Sequence, residues 1–257
     1  MTIRIGQAAL GAAAALLMAG AVQAQSFTAE QLVAKNLAAR GGADKIAAIK
    51  SVRFNGKLIF PGGFELAYVE TRLRGQGVRQ DATIQGMTVI QAYDGRQAWR
   101  INPFQGRRDP DQMSPDEMRQ MADAGSIEGA LLSAQADKGR VIYQGVEDVD
   151  GTPAYKLKVT QADGDEFTYF LDPDTFLEIK VVESRRIRGA EQVTESDIGD
   201  YEKVADVYFP MAITSGPQGG GPNQQQTITV DTAEANVTVQ PNYFNMPATP
   251  AASATPK

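Results

Sequence analysis

Acid–base chemistry in this chain would fall to carboxylates, lysines and tyrosines, because its 257 residues include no histidine and no cysteine. A Ser-His-Asp triad, an imidazole metal ligand, a thiol nucleophile, a disulfide and a thiolate-bound metal are all excluded. The run nearest to a nucleophile elbow is Gly125-Ser126-Ile127-Glu128-Gly129, where the serine stands one place too early for G-x-S-x-G. Gly219-Gly220-Gly221 is followed by Pro222-Asn223-Gln224 instead of the lysine of a phosphate-binding loop, and reads as a flexible connection. Asp148, Asp150 and Gly151 echo the start of a calcium loop but lack its remaining ligands and closing glutamate, so a hairpin turn is the reading. Asn236-Val237-Thr238 matches a glycosylation sequon within an apparent strand. Carboxylates are plentiful, so a two-carboxylate hydrolase stays open as a third reading, with no pair singled out. The expectation is a protein that is not an enzyme and uses no metal or cofactor.

With 31 acidic against 25 basic residues the formal net charge is −6, which argues against a nucleic-acid partner. Residues 1–24 read as a cleavable signal peptide. Arg4 is its only charge, Ala8 to Met18 is almost all Ala and Leu, and Val22-Gln23-Ala24 supplies the small-x-small cleavage pattern. Export places the mature chain outside the cytoplasm. Residues 248–257 are Pro/Ala/Thr-rich, hold no large apolar side chain, and read as a flexible tail. One domain, 25–247, lies between.

Thr28 and Gln31 form a capping box for a first helix, with Leu32, Val33, Leu37 and Ala38 on one face and Gly41-Gly42 as the stop. A short second helix, Ala43 to Lys50, presents Ile46 and Ile49. From Ser51 the period becomes two. Val52, Phe54, Leu58 and Phe60 alternate with polar neighbours, as do Tyr155, Leu157 and Val159, and as do Val207, Phe209, Met211 and Ile213. Asp94-Gly95, Asp150-Gly151 and Asp163-Gly164 are hairpin signals, and Asp172-Pro173-Asp174 is a further turn. The spacing predicts about ten to eleven antiparallel strands, a barrel or large curved sheet. Ser114-Pro115-Asp116-Glu117 opens a helical insert in this meander, with Met118, Met121 and Ala122 on one face and Ile127, Leu131 and Leu132 following Gly125.

A curved sheet has a concave face that side chains or a ligand must fill. The strand candidates for that face are Phe54, Leu58, Phe60, Leu66, Trp99, Ile101, Tyr169, Leu171, Met211 and Ile213. Met118, Met121, Leu131 and Leu132 are expected to pack over it as a movable lid, with Trp99 nearby; a fixed core of the same residues is the plainer alternative.

Four stretches carry a resemblance. They are Leu32 to Val52, Tyr93 to Phe104, Gly151 to Val159, and Tyr169 to Leu177, with the ending Phe244-Asn245-Met246-Pro247 in keeping. Together they resemble the outer-membrane lipoprotein-sorting protein branch of the LolA-like superfamily, from about Ala29 to Pro247. The resemblance implies a mainly β (α+β) fold, an incomplete antiparallel β-barrel with helices packed on its concave side. It implies a periplasmic carrier or chaperone that takes the acyl chains of lipids or lipoproteins into a hydrophobic cavity. It also implies transient donor and acceptor proteins at the inner and outer membranes. The alternative within the same fold is an envelope-stress sensing module whose output is a protein contact.

Overall fold

The computed structural model describes residues 27–134, 136 and 138–248. The signal peptide expected at 1–24 lies outside the described residues, as does the tail expected at 248–257 apart from its first residue.

Two helices open the fold, α1 (Ala29–Ala39) and α2 (Ala43–Ala48). Thr28 accepts from the Gln31 backbone N–H at 3.2 Å while Gln31 Oε1 accepts from the Thr28 N–H at 2.9 Å, the expected capping box. Six strands follow, namely β1 (Ser51–Phe60), β2 (Phe64–Leu73), β3 (Gly77–Ile84), β4 (Met87–Tyr93), β5 (Ala98–Asn102) and β6 (Arg107–Gln112). The insert comprises α3 (Pro115–Ala124) and the single turn α4 (Ala130–Ser133). Seven strands complete the chain: β7 (Arg140–Val149), β8 (Thr152–Thr160), β9 (Glu166–Leu171), β10 (Glu178–Ile187), β11 (Ala190–Val204), β12 (Val207–Pro217) and β13 (Gln226–Ala235).

Among the described residues all thirteen strands form one antiparallel sheet in the order β6-β5-β4-β3-β2-β1-β13-β12-β11-β10-β9-β8-β7. Pairing of β1 with β13 joins the two halves, and the edges β6 and β7 stay apart among the described residues. The barrel is therefore incomplete, and the α3–α4 insert is the connection that runs between its two edges. At the β1–β13 seam a bulge follows Asn55, and a Cβ on Gly56 would run into the Thr229 carbonyl. Only glycine allows that close approach.

The strand count exceeds the expected ten to eleven for a physical reason. β6 reads Arg-Arg-Asp-Pro-Asp-Gln, and most of β11 is acidic or polar, so neither shows an apolar alternation. The sequon is also displaced. β13 ends at Ala235, and Asn236 sits beyond it at φ 57°, its side-chain oxygen accepting from the Lys50 N–H at 2.7 Å.

The helices cover one face, here called inner. Leu32 of α1 and Leu131 of α4 pack with Leu157, Val159, Phe167 and Leu171; Ile46 packs with Phe54, Phe209 and Met211; Met121 of α3 packs with Val78, Ala98 and Met113. Trp99 and Ile101 are corrections. Ala98 points inward, so alternation along β5 turns Trp99 and Ile101 to the outer face. There Trp99 is fully buried by the chain's last described segment, its indole N–H donating to the Phe244 carbonyl at 2.8 Å. Arg79 lies over both the Trp99 and Tyr243 rings and donates to the Tyr243 carbonyl. Trp99 is thus part of a strap on the outside of the sheet rather than a neighbour of the insert.

Candidate functional site

Along β1, β12 and β13 the inner side chains Leu58, Ile228 and Ile213 meet in register, and Ile213 pairs in turn with Ile198 on β11. Ile228, Ile213 and Ile198 of this row border a cavity of about 300 Å³ between sheet and insert. Of the expected residues Phe54, Tyr169 and Ile213 line it, joined by Ile127, Phe167, Val181, Ile198, Phe209, Ile228 and Val230. Leu58, Phe60 and Leu66 line a second compartment of about 510 Å³ towards the β1–β2 end, with Phe64, Val89 and Phe104. Tyr68 and Ile228 border both spaces.

The remaining inner candidates are core. Met118 and Met121 fill the space between α3 and β3–β5, Leu131 and Leu171 the space below α1, and Leu132 and Met211 the space beside α2. The insert does lie over the inner face, but its methionines do not reach the cavity.

Polar groups missed by an apolar search also line the first compartment. Glu70, 5% exposed, accepts from Tyr68 Oη at 2.7 Å, Gln80 Nε2 at 2.7 Å and Arg72 Nε at 2.6 Å. The Tyr201 hydroxyl donates to the Glu178 carboxylate at 3.0 Å. Burial raises the hydroxyls of Tyr68, Tyr169 and Tyr201, and the nearby glutamate charges raise them further. They remain neutral donors at physiological pH. This arrangement can line and orient a ligand; its acids are occupied with internal donors.

Three arginines hold the α3–α4 linker over the cavity. Arg40, at the end of α1, donates to the Glu128 carbonyl at 2.6 Å and the Ile127 carbonyl at 3.1 Å. Arg72 donates to the Ser126 carbonyl at 3.0 Å, and Arg74 pairs with the Glu128 carboxylate. α3 itself is tied on both flanks, by Arg100 of β5 to Glu117 at 2.9 Å and by Arg185 of β10 to Asp123 at 2.7 Å. Nothing local in the sequence signals these ties, because the arginines are scattered along the chain and two of them bind backbone carbonyls of the linker.

The Glu117 tie depends on pH. Partial burial works to raise its carboxyl, but the Ser114 N–H and hydroxyl and the Arg100 guanidinium outweigh it and hold the value at about 2. A carboxyl depressed below its unfolded value adds stability above that value and loses it as pH falls through the folded one. Glu117→Gln should therefore cost about 2 kcal/mol at neutral pH. Measured by urea midpoints, the gap to wild type should close as pH is lowered from 4.5 to about 2.

Among the described residues no group of three or more acidic side chains is placed to hold a metal ion. No family model matches the sequence. No curated protein matches it either. Solved structures do. One is described as an outer membrane lipoprotein-sorting protein domain from Vibrio parahaemolyticus, 14% identical, with TM-score 0.55 over 84% of this chain and 97% of that one. A LolA superfamily protein from Nitrosomonas europaea is 11% identical, with TM-score 0.54 over 85% and 98%. A DUF1329 family protein from Desulfovibrio piger is 12% identical, with TM-score 0.54 over 84% and 96%. At these identities the likeness is one of fold.

Proposed function

We propose that this chain, which has a LolA-like fold, is a periplasmic carrier that sequesters the acyl chains of lipids or lipoproteins in its inner cavity, non-covalently and without cofactor. The supporting observation is an apolar cavity roofed by a linker that Arg40, Arg72 and Arg74 hold through its carbonyls and one carboxylate. Each such bond comes from a guanidinium and contributes about 1.5–3 kcal/mol net, and none belongs to the sheet ladder, so the roof is held separately from the strands. Moving an acyl chain from water into the cavity gains about 0.8 kcal/mol per methylene. Several methylenes give a reversible affinity, as handover between a donor and an acceptor requires. The second compartment, meeting the first at Tyr68 and Ile228, extends the apolar path to the end of the sheet.

A sensing module is the second reading, and one observation favours it. Edge strand β7 carries Ile142 and Val146 at 38% and 55% exposure. An edge with apolar side chains suits strand addition by a protein partner. Native mass spectrometry of protein purified from its own periplasm separates the two. Co-purifying lipid is the expected result; a protein partner without lipid would overturn the carrier reading.

A further inference from the structure

At one end of the sheet four connections lie side by side, because β1 pairs with both β2 and β13, β3 with β2 and β4, and β5 with β4 and β6. They are residues 61–63, 85–86, 103–106 and 218–225, and none of these residues is charged, although charged residues make up 22% of the chain. The opposite end differs. Its connections carry Arg74, Asp94, Arg96, Asp150, Asp172, Asp174 and Asp206. Charge returns at the near end too beyond this stretch, with Asp163 and Arg188 in the β8–β9 and β10–β11 turns.

Phe64, the first residue of β2 directly after the connection 61–63, and Phe104, within the connection 103–106, are 51% and 47% exposed, among the most exposed large apolar residues described. Both also border the second compartment, whose lining joins Leu58, Phe60, Leu66 and Val89 with uncharged amides such as Gln91 and Gln226, so the uncharged surface outside continues inside. We infer that this rim docks directly on a lipid surface, Phe64 and Phe104 entering the interface so that the compartment opens onto the acyl layer. The inference rests on the carrier reading for its purpose but not for its test.

The rim's chemistry favours lipid over protein as the occupant. Protein interfaces concentrate Tyr, Trp and Arg at their centres, and the four connections contain none of these. Aromatic rings on uncharged turns suit the boundary of a bilayer, where backbone and glutamine amides meet headgroups while the rings enter the acyl region. The four connections hold no acid to repel anionic headgroups, and Glu65, which follows Phe64, is paired with Lys57 at 2.8 Å.

The test is flotation of the purified protein with vesicles of phosphatidylethanolamine and phosphatidylglycerol. Wild type should float with the vesicles, and the Phe64→Ser/Phe104→Ser double variant should bind about tenfold more weakly. Both side chains are half exposed, so the fold should survive, and circular dichroism checks it. Phe64→Trp should float and shift its emission to the blue, against a Trp99 background that is already buried. If wild type does not float, or if the double variant floats equally well, the inference fails and the patch is left to a protein partner. Ile198→Asp, in the first compartment, should float normally whatever it does to acyl binding. An Ile198→Asp variant that floats and still binds acyl chains as wild type does would count against the carrier reading alone.

Discussion

Arg185→Met should destabilise the protein by about 3–5 kcal/mol, the range for stranding a buried partner charge. Arg185 is 5% exposed and Asp165 4%, and they pair at 2.5 Å. The same guanidinium reaches Asp123 of α3 and Glu183, so one substitution unties the insert from β10 and leaves an acid buried. Burial already raises the Asp165 carboxyl above its ordinary value, even against the attraction of Arg185. Without that attraction it rises further. A carboxyl raised by folding takes up protons on folding between its unfolded and folded values, so stability falls as pH rises through that window. The variant should accordingly recover part of its loss when the pH is lowered from neutral towards the unfolded value. Asp165→Asn in the same background should restore stability at neutral pH. Urea melts at two pH values check both, and a pH-independent loss that Asp165→Asn does not relieve would rule out a stranded charge as the cause.

Those ties show where local sequence stops being informative. The box at Thr28–Gln31 and the cap at Ser114 were legible because a cap is a property of the helix start itself, and the structure adds that Glu117 closes a second box on Ser114. The Asp-Gly turns were legible likewise; Gly151 donates its N–H to Asp148 Oδ1 within the turn, as a hairpin requires. Alternation along β5 separated two faces but could not say which was inner. That depended on a segment more than a hundred residues later, whose Phe244 carbonyl meets the Trp99 indole. Arg40 stood in the recognisable opening stretch without a role, because its partners are the carbonyls of Ile127 and Glu128. The apolar inner face was legible as a list, and twelve of its fourteen candidates do lie on the helix-covered side. What the list could not do was divide core from cavity, since Leu171 and Ile213 have the same chemistry and differ only in what packs above them.

That division yields the sharpest functional test. Ile198→Asp should reduce binding of a fluorescent fatty acid at least about tenfold, because a carboxylate in an apolar cavity must either stay hydrated or displace the ligand. Its effect on stability should be small. Ile198 is only half buried and borders open space, so the new charge keeps access to water while the cavity is empty. Ile198→Met, close in volume, should bind normally. Leu171→Ala should behave in the opposite way. Leu171 is fully buried among Leu32, Leu131 and Leu157, outside the cavity lining, and its truncation should cost about 2–5 kcal/mol while leaving ligand affinity intact in the folded protein. A core without a working cavity would make both substitutions act on stability and neither on binding. The crossed result, binding lost at Ile198 and stability lost at Leu171, requires that the space between sheet and insert be occupied by cargo.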